Sequence, residues 1–264
     1  MVIHVLHLGL VPYGTALQLQ RTLMELRKAG RVENTLLLLE HPPVITLGRN
    51  AQLSNVIAPP EFLAQRGVEL HEIDRGGDVT FHGPGQLVAY PIFDLRSFEP
   101  GSKIGAVEFV RRLEEVLIRT CGDFAIGTQR IKGLTGVWTY ALPNKPEAKI
   151  AAIGVHISRG VTTHGFALNV STDLEFFSLI VPCGITGKPV TSMQQELQRT
   201  LRIEDVEIAA SRNFGRVFQA QMLWLESLDD LIGATPIVAP SNQDTPARPP
   251  RELRELHGDG SELA

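Results

Sequence analysis

Two residues combine reactive chemistry with an unusual setting. Cys183 is enclosed by Pro182 and Gly184, and Lys149 opens a run of small apolar residues. A cysteine between proline and glycine belongs at a turn, where its thiolate can meet a substrate as a nucleophile. A lone cysteine is equally a small buried hydrophobe. Lys149 precedes Ile150, Ala151, Ala152, Ile153 and Gly154. Beside Cys183 its ammonium would stabilise the thiolate and lower the thiol pKa; without such a neighbour it is a surface charge snorkelling from a strand edge. Spacing alone leaves these pairs of readings open. The second cysteine, Cys121, falls on the apolar side of a helical pattern and reads as core.

The third reactive segment is Arg75-Gly76-Gly77-Asp78-Val79-Thr80-Phe81-His82-Gly83-Pro84-Gly85-Gln86. Its glycines let backbone N–H groups approach a ligand closely, and they equally suit a tight surface loop. No Gly-Lys-Ser/Thr follows and no G-x-G-x-x-G opens a helix, so nucleotide binding is not supported by this segment. His41, His82, His156 and His164 lack the spacing of a zinc site; no metal or other cofactor is expected. As strand histidines they read as structural. His82 is the exception, a candidate catalytic group because it belongs to the glycine-rich segment.

Positioning these residues requires a core. Residues 15–29 carry Leu19, Leu23 and Leu26 at helical spacing, with Gly30 as the stop. Residues 34–40 and 44–47 read as strands broken by His41-Pro42-Pro43, and 68–74 and 87–95 as further strands. Residues 102–121 predict a helix with Ser102 as N-cap, a face of Ile104, Val107, Val110, Leu113 and Leu117, and a stop at Gly122. Residues 149–157 and 161–170 form a hairpin through Ser158-Arg159-Gly160, preceded by a strand-like segment at 136–140. A strand-like run FFSLIV leads to Cys183; Ser192 and Gln195 match a capping box, and 204–221 is amphipathic. The reading is α+β: a mixed β-sheet flanked by helices, one domain over 1–232, followed by a loose tail over 233–264.

Hydrophobic residues are 43% and charged residues 20% of the 264, a globular mix, and the net charge of −4 argues against a nucleic-acid binder. Two cysteines are too few for a disulfide scaffold, the N-terminus lacks a basic n-region, and no apolar run spans a bilayer. A cytoplasmic protein with no membrane partner is expected, as a monomer because no coiled coil or long apolar edge is evident.

The segment RGGDVTFHGPGQLVAYPIFDL (75–95) resembles the signature of the lipoyl(octanoyl) transferase family. EHPPVITLGR (40–49), KIAAIGVHISRGVTTHGFALNV (149–170) and VPCGI (181–185) resemble that family's other blocks in the same order, covering roughly residues 5–220. The resemblance implies a fold shared with biotin and lipoate ligases. It implies transfer of an octanoyl group from octanoyl-acyl carrier protein to a lysine of apo lipoyl domains, those of 2-oxoacid dehydrogenases and the glycine cleavage H protein. It places a thioester-forming cysteine at Cys183 and a lysine at Lys149. It assigns the acyl pocket to the segment Arg75 to His82, to Ala152, Ile153 and Gly154, and to Gly165, Phe166 and Ala167. Backbone N–H groups near Gly165 or Gly184 are candidates for an oxyanion hole, and Arg75, Arg49 or Lys103 for a patch meeting an acidic donor. The insertion at 142–148 and the tail depart from the family pattern without touching these residues.

Three rivals remain at this point. An ATP-dependent lipoate or biotin ligase on the same scaffold would need a phosphate site, and the glycine-rich segment offers Arg75 but no lysine. A non-catalytic carrier-binding module would tolerate loss of Cys183. A papain-like hydrolase would need a cysteine motif that neither cysteine here opens.

Overall fold

The computed structural model describes residues 1–98, 104–181 and 188–233. In chain order they form β1 (Val2–Leu10), α1 (Tyr13–Lys28), β2 (Asn34–Glu40), β3 (Val44–Leu47), α2 (Pro60–Gln65), β4 (Glu69–Glu72), β5 (Val79–His82) and β6 (Gln86–Ile92). There follow α3 (Ala106–Asp123), β7 (Thr128–Ile131), β8 (Leu134–Thr139), β9 (Lys149–Ser158), β10 (Val161–Asn169), α4 (Met193–Leu197), α5 (Ile203–Phe218), β11 (Gln221–Trp224) and α6 (Leu228–Ile232). The described strands make an eight-stranded sheet, ordered β11-β1-β2-β6-β10-β9-β8-β7, and a three-stranded sheet, β4-β3-β5. β1 is parallel to both β2 and β11, and the rest of the large sheet is antiparallel. This is the mixed, helix-flanked α+β architecture expected.

Strand alternation divides the apolar residues between two faces. In β2, Leu36 and Leu38 join one cluster with Phe109 and Leu113 of α3 and Val206 and Phe214 of α5. Leu37 and Leu39 join the opposite cluster with Ala16 and Leu23 of α1. The small sheet has its own cluster, in which Ile45, Val79 and Phe81 meet Phe177 and Leu179.

The hairpin between β9 and β10 turns at Arg159 (φ 52°) and Gly160 (φ 88°), the paired left-handed residues of a two-residue loop. Gly30 (φ 68°) closes α1, its neighbour Arg31 donating its N–H to Leu26 O.

Several expectations are corrected. α3 runs through Gly122 to Asp123 and starts behind Gly105, while Ser102 and Lys103 lie outside the described residues. Its buried face is Phe109, Leu113, Val116, Leu117, Thr120 and Cys121, and Val107 in the first turn is 75% exposed. Charged residues at 108, 111, 112, 115 and 119 take the water side, which fixes the rotation. The run after Asp173 is a 3-10 turn, Leu174–Leu179, N-capped by the Asp173 carboxylate accepting from Glu175 N–H. The glycine-rich segment contains a strand, β5. Strands β7 and β11 were not anticipated at all. Beyond Gly233 the expected tail lies outside the described residues.

Candidate active site

The small sheet lays residues 74–78 across β9, and glycines make the approach possible. Gly76 donates its N–H to Val155 O at 3.0 Å. A Cβ on Gly154 would stand 2.8 Å from Gly76 O, and one on Gly48 would stand 2.4 Å from Gly77 O. Between the segment and the sheet lies a cavity walled on one side by Arg75, Gly77, Asp78, Thr80 and His82, and on the other by Ala152, Ile153, Gly154 and the stretch from His164 to Ala167; Tyr13 and Tyr90 complete it. Thr80, Ala152 and Ala167 also border an inner recess that reaches Gln86, Lys149, Asn169, Phe177 and Val190. The two spaces therefore share walls along β5, β9 and β10.

Lys149 is a recess residue, 7% exposed, which overturns the reading of a snorkelling surface charge. Its Nζ lies 5.0 Å from the Trp138 ring centroid. Gly136 (φ 117°) leaves room for its stem: a Cβ there would stand 3.0 Å from Lys149 Cε. Its backbone is pinned on the other side, its N–H donating to Pro189 O at 2.8 Å and its O accepting from Thr191 N–H at 2.9 Å. Cys183, with Pro182 and Gly184, lies outside the described residues.

Arg75 is buried rather than part of a docking patch. Its guanidinium donates to Thr46 O at 2.8 Å and Thr46 Oγ1 at 2.9 Å, tying the glycine-rich segment to β3. Arg49 is exposed. Of the anticipated pocket residues, Val79 and Phe81 point the other way, into the small sheet's core, because β5 alternates. Phe166 borders the cavity, but its ring stacks on Phe214 at 5.8 Å on the far face. Gly165 serves packing, since a Cβ there would stand 2.1 Å from Ala89 O. Asp78 accepts from Gln52 N–H and Asn55 Nδ2, bracing the chain behind the cavity.

His82 heads a buried polar chain. Its Nδ1 meets Gln86 Oε1 at 2.8 Å; Gln86 Nε2 donates to Phe81 O and to Asn169 Oδ1; Asn169 Nδ2 donates to Thr191 O. Because Phe81 O can only accept, Gln86 offers its carbonyl to His82, so Nδ1 carries the proton and Nε2 the lone pair. Burial, with some repulsion from His41, pulls the His82 pKa down to about 3, so the ring stays neutral.

Sequence reasoning passed over Tyr13 and Tyr90 and treated His41 and His164 as structural. His41 Nδ1 donates to Val11 O and its Nε2 accepts from the Tyr90 hydroxyl at 2.7 Å, while burial lowers its pKa to about 4. His164, in the left-handed region (φ 55°), donates Nε2–H to Asp74 at 3.0 Å; that bond holds the Asp74 carboxyl well below its usual range. Positive φ at a histidine is a backbone feature that no local pattern announced. Among the described residues no cluster of three or more His, Cys, Asp or Glu is arranged to hold a metal, and no helix is long and apolar enough to cross a membrane.

The model of the lipoyl protein ligase A/B catalytic domain family matches residues 12–215. The octanoyltransferase of Koribacter versatilis is 64% identical over 261 residues, covering 99% of each chain. That of Acidobacterium capsulatum is 62% identical over 237 residues, 88% of this chain and 96% of its own. Among solved structures, lipoate-protein ligase A bound with ATP has a TM-score of 0.65 at 16% identity, over 86% of this chain and 89% of its own. The bipartite lipoate protein ligase of Thermoplasma acidophilum has a TM-score of 0.66 at 18% identity, over 86% and 87%. These two show the same fold. On the family match and the full-length identity, the chain belongs to the octanoyltransferases of the lipoyl protein ligase A/B catalytic domain family.

Proposed function

We propose that this acyltransferase moves an octanoyl group from acyl carrier protein to a specific lysine of lipoyl-carrier domains, through a thioester on Cys183 and without ATP. The observation that carries the reading is Lys149: an ammonium withdrawn from water at the end of a recess that shares walls with the cavity under the glycine-rich segment. The relatives' name, octanoyltransferase, supports octanoyl as the acyl group; the acceptors in this reading are the apo lipoyl domains of 2-oxoacid dehydrogenases and the glycine cleavage H protein. The enzyme is taken to act as a monomer in the cytoplasm.

The chemistry balances without an energy source. Lys149 as ammonium stabilises the Cys183 thiolate, which attacks the donor thioester carbonyl. The carbon–sulfur bond to the carrier breaks, and the carrier thiolate takes a proton from Lys149. The acceptor amine then attacks the Cys183 thioester, passing its proton to neutral Lys149 as the cysteine leaves as thiolate beside the restored ammonium. One thioester is exchanged for another and then for an amide, so the second step runs downhill. His82, neutral and locked as a hydrogen-bond acceptor at Nε2, orients polar groups within the cavity.

Intact-protein mass spectrometry with octanoyl-acyl carrier protein, no ATP present, tests the reading. An octanoyl adduct that vanishes in Cys183→Ser is the expected result. Product formed only with ATP would replace it with the ligase chemistry of the fold's other members, and no adduct or product either way would leave a carrier-binding module.

A further inference from the structure

We propose that His164 is a specificity-determining residue: its imidazole forms the outer end wall of the acyl cavity and limits the length of chain the enzyme accepts. The inference rests on the transfer reading above, in which the acyl group reacts at the Lys149 end of the shared space. The pairing of β9 with β10 orders that space. Lys149 and Asn169 border the recess, Ala152 and Ala167 border both recess and cavity, and Gly154 and His164 border the cavity alone. Asn169 and His164 lie on the same strand, about 16 Å apart along it at the usual rise per residue. An acyl chain whose reacting end stands near Lys149 therefore passes Ala152 and Ala167 first and meets His164 last.

The backbone is strained to put the imidazole there. Phe166 and Leu168 belong to the cluster under α3 and α5, and Ala167 to the opposite one. Strict alternation along β10 would send His164 with Phe166, away from the cavity. Its φ of 55° breaks the alternation. The ring instead stands edge-on to Tyr90, centroids 6.4 Å apart, and lines the cavity. A left-handed backbone is costly for a residue with a Cβ, and such strain collects where a site requires it. Two contacts hold the residue in place. Its N–H donates to Oε1 of the buried Gln20 of α1 at 2.7 Å. Its Nε2–H donates to Asp74 Oδ1 at 3.0 Å, and the other oxygen of that carboxylate faces His156 Nε2 of β9 at 3.6 Å. The imidazole is 3% exposed and Asp74 behind it 50%, so the ring stands between the cavity and a solvated carboxylate. A chain too long for the space would have to displace a buried, hydrogen-bonded ring.

The test is kcat/KM of the full-length enzyme for hexanoyl-, octanoyl-, decanoyl- and dodecanoyl-acyl carrier protein, read by intact mass as acylation of an apo lipoyl domain. Wild type should fall off beyond octanoyl. His164→Gly removes the ring and keeps a backbone that accepts positive φ. Its decanoyl-to-octanoyl ratio should rise roughly tenfold or more over wild type through a gain on decanoyl, the worth of methylene groups that find room in an apolar pocket. His164→Asn, shorter and tolerant of the same φ, should raise the ratio less. A folded His164→Gly enzyme with the wild-type ratio, or with a ratio raised only by loss of octanoyl transfer, overturns the proposal and leaves the transfer reading standing. Wild-type enzyme that acylates nothing from any of these donors defeats both. If circular dichroism shows His164→Gly unfolded, His164→Asn decides alone: a gain on decanoyl supports the role, an unmoved ratio ends it.

Discussion

The two faces of the large sheet are built from alternate residues of the same strands, yet they differ in kind. Facing α3 and α5, Phe93, Phe109, Phe166, Phe214 and Phe218 form an aromatic cluster with centroid spacings of 5.5 to 6.3 Å. Toward the small sheet the rings are Tyr13, His41, His82, Tyr90 and His164, at similar spacings of 5.0 to 6.4 Å. The first cluster is dry packing. The second carries a polar atom on every ring, and each buried polar atom needs a partner or a ligand. β6 supplies both, sending Leu87 and Ala89 one way and Val88 and Tyr90 the other. The comparison teaches that one face is built for stability and the other trades some of it for a binding site.

The largest expected effect falls on the dry face. Phe109→Ala should cost about 3–5 kcal/mol of folding free energy, read from the denaturant midpoint, because a fully buried ring leaves a cavity that α3 cannot close. Transfer rate per folded molecule should not change. On the other face the pattern inverts: Lys149→Met should slow acyl-enzyme formation by about 100-fold at neutral pH, roughly 2.7 kcal/mol of barrier, while moving the denaturant midpoint little. If each variant hit stability and rate alike, the division between the faces would be wrong.

The dry face was largely legible in the sequence and the site face was not. Leu36 to Leu39 announced a strand buried on both sides, and Ser158-Arg159-Gly160 announced its hairpin, because both signals are local. β5 was hidden because four glycines around it look like loop, although Val79 and Phe81 alternate with Thr80 and His82. The site gathers positions 13, 75, 82, 90, 149 and 164, which only the sheet order brings together. The family resemblance named the pocket segments, but not which alternate residues of β5 face the cavity. The burial of Lys149 likewise depends on Gly136, Trp138 and Pro189, none of which is its sequence neighbour.

Acid should separate the faces next. In the fold, His41 titrates near 4 and His82 near 3, against 6.5 when unperturbed. The unfolded chain therefore takes up these protons first, so the stability present above pH 6.5 is lost as pH falls toward 4 for His41 and 3 for His82. Between pH 7 and 5 this amounts to about 2 kcal/mol per histidine, and the slope should roughly halve in His41→Gln. Urea midpoints across that range check it; a flat profile would mean the imidazoles take up protons alike in the folded and unfolded chain.

Tyr90→Phe is the finest probe. It removes one oxygen and little packing, but leaves His41 Nε2 buried with no donor, while Nδ1 stays committed to Val11 O. The cost expected is about 1–2 kcal/mol, the penalty for an unsatisfied acceptor rather than for lost volume. A double-mutant cycle with His41→Leu isolates the pair, because removing both partners leaves no orphan on this contact. The double variant should therefore lose less than the sum of the two singles. Strict additivity would show that the hydroxyl and the imidazole do not depend on one another.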